Sequence, residues 1–307
     1  MSSKELTMAQ SIHETNHNAL TIREFQHKVQ DINLFIRTIG ESDADNVLIM
    51  AHGGPGLSHR YMLGLEQLAG PQLTVVNYDQ RGTGQSVSPQ KLDIDKFTPE
   101  IYAQDLEAVR QAVASEKKVH ILGHSWGGMV AMQYALQYPE HIRSLQLINS
   151  VPPTVAGLQA GFQHFNARVQ ALQHKGIIPT KLSTDGLEKL QQILPVYVAP
   201  ADPPLDLPAL AATFDRTPEV GEKTWEALGA FDLREQVGKL QLPLQILFGE
   251  DDPFGRAWAD ETRDAFTEAT IHFQVFSHCG HFGWLERPGA FLMRHKHSLI
   301  RTKWFSR

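Results

Sequence analysis

The chain has 307 residues, 42% of them hydrophobic, and a formal net charge of −6 at pH 7. That length and apolar content bury the core of one large α/β domain with room for an insertion. The acidic balance, without a Lys/Arg cluster, argues against a nucleic-acid or acidic-membrane partner and is compatible with a small neutral or cationic substrate.

Residues 1–20 are polar, lack the apolar stretch of a signal peptide, and read as a frayed extension. Residues 24–29 and 33–39 read as two strands around a turn at Gln30-Asp31. Residues 47–51 are wholly apolar, the mark of a strand buried on both faces, and run into His52-Gly53-Gly54-Pro55-Gly56. The next buried strand, 73–78, ends in Asp79-Gln80-Arg81-Gly82-Thr83-Gly84-Gln85-Ser86. Thr98-Pro99-Glu100 opens a helix that reaches about Ser115: a cap, a proline at the first position, an acid in the first turn. Residues 119–122 form a strand that breaks at Gly123-His124-Ser125-Trp126-Gly127 and continues as a helix from Met129 until Pro139 stops it. A strand at 145–148 follows.

From Pro152-Pro153 to about Gly229 no buried-strand pattern occurs, and helical segments are broken by Pro179, Pro195, Pro200 and Pro203-Pro204. Alternation then resumes with a strand at 244–248, a helix at 256–267, a strand at 271–276 and a helix from about Trp284. The basic stretch 294–307 reads as an amphipathic tail. Strands alternating with helices predict a mostly parallel central sheet covered on both faces. The division is a core of residues 21–151 and 230–307, a helical cap at 152–229, and the extension 1–20. The single cysteine, Cys279, allows no internal disulfide, and no apolar run approaches a membrane span. A cytoplasmic protein without a membrane partner is expected.

Strand, sharp turn and helix around Ser125 turn a bare G-x-S-x-G match into a nucleophile elbow. A serine hydroxyl needs a base to take its proton, and that base needs an acid to orient it. Here the order Ser, Asp, His falls on loops after strands. Gly249-Glu250-Asp251-Asp252-Pro253 follows the strand 244–248, and Ser277-His278-Cys279-Gly280-His281 follows 271–276. Asp252 is the expected acid and His281 the expected base, with Asp251 and His278 as rivals. His278, Cys279 and His281 lack the further ligands of a closed zinc site, so neither a metal nor another cofactor is called for. The N–H groups of Trp126 and Gly54 are the expected oxyanion donors.

The segments His52–Gly56, Asp79–Ser86, the elbow at 123–128, 249–253 and Gly280-His281 together make the sequence resemble an α/β-hydrolase of the proline iminopeptidase-like group. The resemblance implies the α/β-hydrolase fold and an aminopeptidase that releases N-terminal proline. It supports Asp252 and His281 as acid and base. It also implies cap carboxylates that hold the substrate's free amine. In the cap, Glu219, Glu222 and Glu226 are spaced to share one helix face, which is otherwise a solvated acidic stripe. The same machinery serves esters, lactones or C–C bonds in a small neutral substrate, and a receptor with weak turnover is the reading from another class. Asp79 and Arg81 are expected to brace loops.

Overall fold

The computed structural model describes residues 15–17, 20–41, 43–86, 93–200 and 204–300. Among these, nine strands form one sheet: β1 (Thr15–His17), β2 (Leu20–Val29), β3 (Ile32–Gly40), β4 (Asn46–Ala51), β5 (Leu73–Tyr78), β6 (Val119–His124), β7 (Ile142–Ile148), β8 (Pro243–Gly249) and β9 (Thr270–Phe276). Their order is β1-β2-β3-β5-β4-β6-β7-β8-β9. The ladders are antiparallel as far as β3–β5 and parallel from β5–β4 to β8–β9.

The alternating helices are α1 (Pro99–Ala114), α2 (Trp126–Gln137), α3 (Val155–His174), α4 (Gly186–Tyr197), α5 (Leu207–Ala211), α6 (Pro218–Leu228), α7 (Arg234–Gly238), α8 (Ala257–Ala265), α9 (Gly283–Glu286) and α10 (Pro288–Ile300). None of the described helices is long and apolar enough to cross a membrane.

All six residues of β4 are buried because helices cover both faces of the sheet. Ile49 and Ala51 enter one apolar cluster and Leu48 and Met50 the other. Period-two side-chain alternation across a doubly covered strand requires this division. Strand order reverses at β4, which lies between β5 and β6. Crevices at such switch points, outside the carboxyl ends of the strands, hold ligands in open α/β sheets. Here Ala51 at the end of β4 pairs with Gly123 at the end of β6, so the glycine loop and the Ser125 turn leave the sheet side by side.

Two sequence expectations, at residues 15–17 and at Pro195, meet a different outcome. Residues 15–17 do not fray but pair with Leu20–Ile22, because backbone pairing to a sheet edge needs no apolar side chain. Residues 1–14 and 18–19 lie outside the described residues. Pro195 does not break a helix; it sits in the last turn of α4, where the missing N–H costs only one intrahelical bond. Pro203 and tail residues 301–307 lie outside the described residues, and α10 takes up the tail's first part. A 3₁₀ helix at His59–Leu68, unforeseen, buries Tyr61, Met62, Leu65 and Leu68 against the sheet.

Four of the buried histidines, His52, His120, His124 and His295, are held below their ordinary value. Loss of water lowers His52 to about 4, lowers His120 and His295 to about 3, and takes His124 well below its ordinary value. Once unfolded, each returns to about 6.5 and binds a proton below that pH. The unfolded chain therefore binds more protons than the folded one below about pH 6.5, and stability rises with pH across that window. Denaturant melts should show the unfolding free energy falling between pH 6.5 and 5, each histidine removing up to ~1.4 kcal/mol per unit. A stability that is flat across this interval would contradict the neutral burial of these rings.

Candidate active site

Ser125 lies between the last residue of β6 and the first of α2, with φ 55° and ψ −121°. A non-glycine residue there stores on the order of 1–3 kcal/mol, and the surroundings must hold it. Its N–H donates to the Ile148 carbonyl at 3.1 Å, and its own carbonyl accepts from Gly128 at 3.0 Å and Val151 at 3.2 Å. The turn closes only on glycine. A Cβ at Gly123 would stand 2.3 Å from the Gly127 oxygen, and one at Gly127 would stand 2.0 Å from the Ala51 oxygen.

The acid and base leave the next strands in order. His281 Nδ1 lies 2.6 Å from Asp252 Oδ2, and both side chains are buried. The Phe254 N–H donates to Asp252 Oδ1 at 2.9 Å. Asn149, just past β7, donates to Asp252 Oδ2 at 2.5 Å and to the Gly280 carbonyl at 3.3 Å. Sequence reading passed over Asn149; a polar residue directly after a buried strand was its signal. With Nδ1–H committed to the carboxylate, Nε2 is the ring nitrogen left to take a proton. The rivals stand elsewhere. Asp251 engages through its backbone, its carbonyl accepting from Arg168 Nη1 at 2.6 Å. His278 is exposed in the turn after β9.

The glycine loop is fixed by a side chain that the sequence did not single out. The Gly53 N–H donates to the Tyr61 hydroxyl at 2.6 Å. His124 Nε2 lies 2.9 Å from the His281 carbonyl, which only accepts, so Nε2 carries the hydrogen. Burial keeps His124 neutral, and its bare Nδ1 then accepts from the Tyr61 hydroxyl at 2.8 Å. One continuous chain of bonds thus joins the glycine loop, the Ser125 turn and the His281 loop. Among the described residues, the N–H groups of Gly54 and Trp126 donate to no protein acceptor. Both border the cavity beside Ser125 and remain available to an anion.

Asp79–Ser86 braces this arrangement. Asp79 accepts from the His59 N–H at 2.9 Å and the Gln85 N–H at 2.8 Å. Arg81 makes a two-pronged buried ion pair with Asp105, both contacts 2.7 Å.

Ser125 and His281 open into a cavity of about 570 Å³. Its lining is mostly apolar and rich in aromatic rings, with Phe162, Phe165, Tyr197 and Trp225 from the inserted helices, Phe214 from the segment between α5 and α6, and Phe254 and Phe282 from the loops after β8 and β9. Of the three glutamates, only Glu222 lines it. Glu219 pairs with Lys223 at 3.4 Å on the outer face, and Glu226 is exposed away from the cavity. The three do not act as one patch because α6 turns Gly221 and Trp225 inward, so the acidic stripe faces solvent and only its Glu222 edge reaches inside. Among the described residues, no group of three or more His, Cys, Asp or Glu side chains is gathered to hold a metal ion.

The inserted helices are tied to both loops that carry the acid and base. The His281 N–H donates to the Tyr197 carbonyl at 2.7 Å. Arg168 on α3 bridges the Asp251 carbonyl and, at 2.8 Å, the Val198 carbonyl. Glu286 accepts from the N–H groups of Ala199 at 2.8 Å, Gly280 at 2.7 Å and Phe282 at 2.9 Å. Burial raises the Glu286 carboxyl against the lowering effect of these three donors. Desolvation also pushes the Tyr197 hydroxyl up to about 12, with the Arg216 charge opposing it.

Residues 46–288 match the family described as alpha/beta hydrolase fold. A proline iminopeptidase of Thermoplasma volcanium is 27% identical over 273 residues, covering 85% of this chain and 91% of that one. The crystal structure of the Mycobacterium smegmatis proline iminopeptidase superposes with a TM-score of 0.71 at 22% identity, over 90% of this chain and 97% of its own. Est816, an N-acyl homoserine lactone degrading enzyme, superposes with a TM-score of 0.66 at 19% identity, over 89% and 99%.

A fluorophosphonate probe should label wild-type protein at Ser125, and Ser125→Ala should abolish labelling while the fold persists. Asp252→Asn should slow labelling by about 10³-fold or more, because His281 loses its orienting carboxylate. Asp251→Asn should stay within about threefold of wild type, since its carboxylate does not touch the base. The reverse ranking in labelling rates would move the acid to Asp251.

Proposed function

We propose, for a chain that belongs to the alpha/beta hydrolase fold family, a serine hydrolase that works through an acyl-enzyme. The observation that carries this reading is the 2.6 Å contact between His281 and Asp252 at a cavity that Ser125 also lines. His281 Nε2 takes the Ser125 proton as the hydroxyl attacks the substrate carbonyl. The oxyanion is held by the Gly54 and Trp126 N–H groups, and α2 directs the positive end of its dipole there. His281 passes the proton to the leaving group. Water then repeats the sequence against the acyl-enzyme, and Asp252 stabilises the imidazolium at each stage.

The preferred substrate is a short peptide or small amide with an unblocked N-terminal proline or related small residue. Proline iminopeptidase relatives and the cavity support this reading. The aromatic walls suit a small apolar ring, and Glu222 is the carboxylate placed to receive an ammonium. A charged amine leaving water needs such a partner. A second reading, hydrolysis of an ester or lactone, is favoured by the predominance of apolar lining over that one carboxylate and by the likeness to Est816.

A substrate panel separates the two. Prolyl arylamide should be turned over and its N-acetylated counterpart should not, since only the free amine engages Glu222. Glu222→Gln should raise KM for the prolyl arylamide by about tenfold relative to KM for an acetate ester, which has no ammonium to bind. Preference for esters or N-blocked substrates would end the peptidase reading and leave the serine hydrolase standing.

A further inference from the structure

The acyl-transfer steps use no Arg or Lys side chain, yet one of each lines the cavity. Arg216 stands just before α6, and Lys189 lies on α4. Glu222 is the carboxylate among the lining residues. Among the described residues, neither Arg216 nor Glu222 takes part in an ion pair or side-chain hydrogen bond, with each other or with another group. Two opposite charges that share a cavity without pairing are available to the two ends of one ligand.

The position of Arg216 is set by the backbone. The Thr217 N–H donates to the Gly56 carbonyl at 2.7 Å, and the Ser58 N–H donates to the Asp215 carbonyl at 3.1 Å. Between them, Leu57 and Arg216 form an antiparallel bridge. A Cβ on Gly56 would stand 2.7 Å from the Thr217 oxygen, so the two segments lie in direct backbone contact. Arg216 is thereby laid along the same loop that presents the Gly54 N–H. Its charge acts on the Tyr197 hydroxyl, and the Tyr197 ring lies 5.6 Å from that of His281. Arg216, an exposed residue, thus lines the cavity beside the glycine loop.

We propose that Arg216 binds a substrate carboxylate, which makes the preferred substrates dipeptides with both ends free. The ammonium meets Glu222, the scissile carbonyl meets Ser125, and the C-terminal carboxylate of the leaving residue meets the guanidinium fork. A guanidinium holds a carboxylate through two parallel N–H bonds, a geometry that an ammonium cannot supply. Glu222 lies in the second turn of α6, so the two charges are on the order of 10 Å apart along the backbone, with flexible side chains converging from there. An extended dipeptide spans about 7 Å. Lys189 adds a second positive charge, so the cavity favours a zwitterion over a ligand that is only a cation. This assignment rests on the peptidase reading for the bond that is cut and extends it to the leaving group.

The test measures inhibition of p-nitrophenyl acetate hydrolysis by Pro-Ala and by its C-terminal amide, so binding is read whether or not the peptide is cleaved. Wild type should bind the free acid at least about tenfold more tightly than the amide, the worth of one charge-assisted contact. Arg216→Gln should bring that ratio close to one, and Arg216→Lys should retain part of it. Raising the salt concentration should weaken the free acid more than the amide. Equal inhibition by acid and amide in wild type, or a ratio that survives in Arg216→Gln, overturns the assignment. A wild-type ratio near one overturns the assignment even where a variant fails to fold, and Lys189→Gln, which should leave the ratio in place, keeps the two cations apart. Absence of prolyl arylamide turnover with the ratio intact would instead overturn the peptidase reading and leave the carboxylate site in place.

Discussion

The site depends on one backbone constraint: Ser125 is held at φ 55° and ψ −121° between β6 and α2. Nothing local favours that conformation in a serine. It persists because three backbone bonds hold the residue and because Gly123 and Gly127 let the strand ends approach within distances that exclude a side chain. The same turn presents the hydroxyl at the rim of the sheet and starts α2 directly behind it. The reversal of strand order at β4 then brings the Gly54 loop alongside, while β7, β8 and β9 deliver Asn149, Asp252 and His281 in succession.

Around this turn, buried polar groups are arranged so that each constrains its neighbour. The Gly53 N–H, the Tyr61 hydroxyl, His124 and the His281 carbonyl form a chain in which every proton position follows from the one carbonyl that can only accept. Asp252 accepts from Phe254, Asn149 and His281, so its carboxylate is fixed from three sides. Such networks are costly when broken, because an orphaned buried donor or acceptor loses its hydration without compensation. The inserted helices belong to the same network through Arg168, Tyr197 and Glu286. The helices that shape the substrate cavity therefore also hold the loops that carry the acid and the base.

Much of this was legible in the sequence, for reasons that differ from residue to residue. Apolar strands such as β4 and β5 are buried on both faces, so their boundaries show directly in composition. Ser125, Asp252 and His281 stand in short segments whose glycines are sterically required, and that requirement leaves a local pattern. Tyr61 and Asn149 left none. Each acts through a partner far away in the chain, His124 for Tyr61 and Asp252 for Asn149, and only the assembled sheet brings them together. The cap glutamates mark another boundary. Spacing placed Glu219, Glu222 and Glu226 on one helix face, but which edge of that face meets the cavity depends on how α6 docks against the glycine loop. Arg216 became visible by the same docking.

The central claim is that Ser125 carries the acyl group between two half-reactions. Intact-mass spectrometry of enzyme quenched during turnover of a slowly deacylating p-nitrophenyl ester tests it most directly. The predicted result is a mass increase equal to the acyl group, mapped by digestion to the peptide that contains Ser125 and lost when turnover is complete. Sustained turnover with no adduct under trapping conditions, or an adduct on a different residue, would contradict the account.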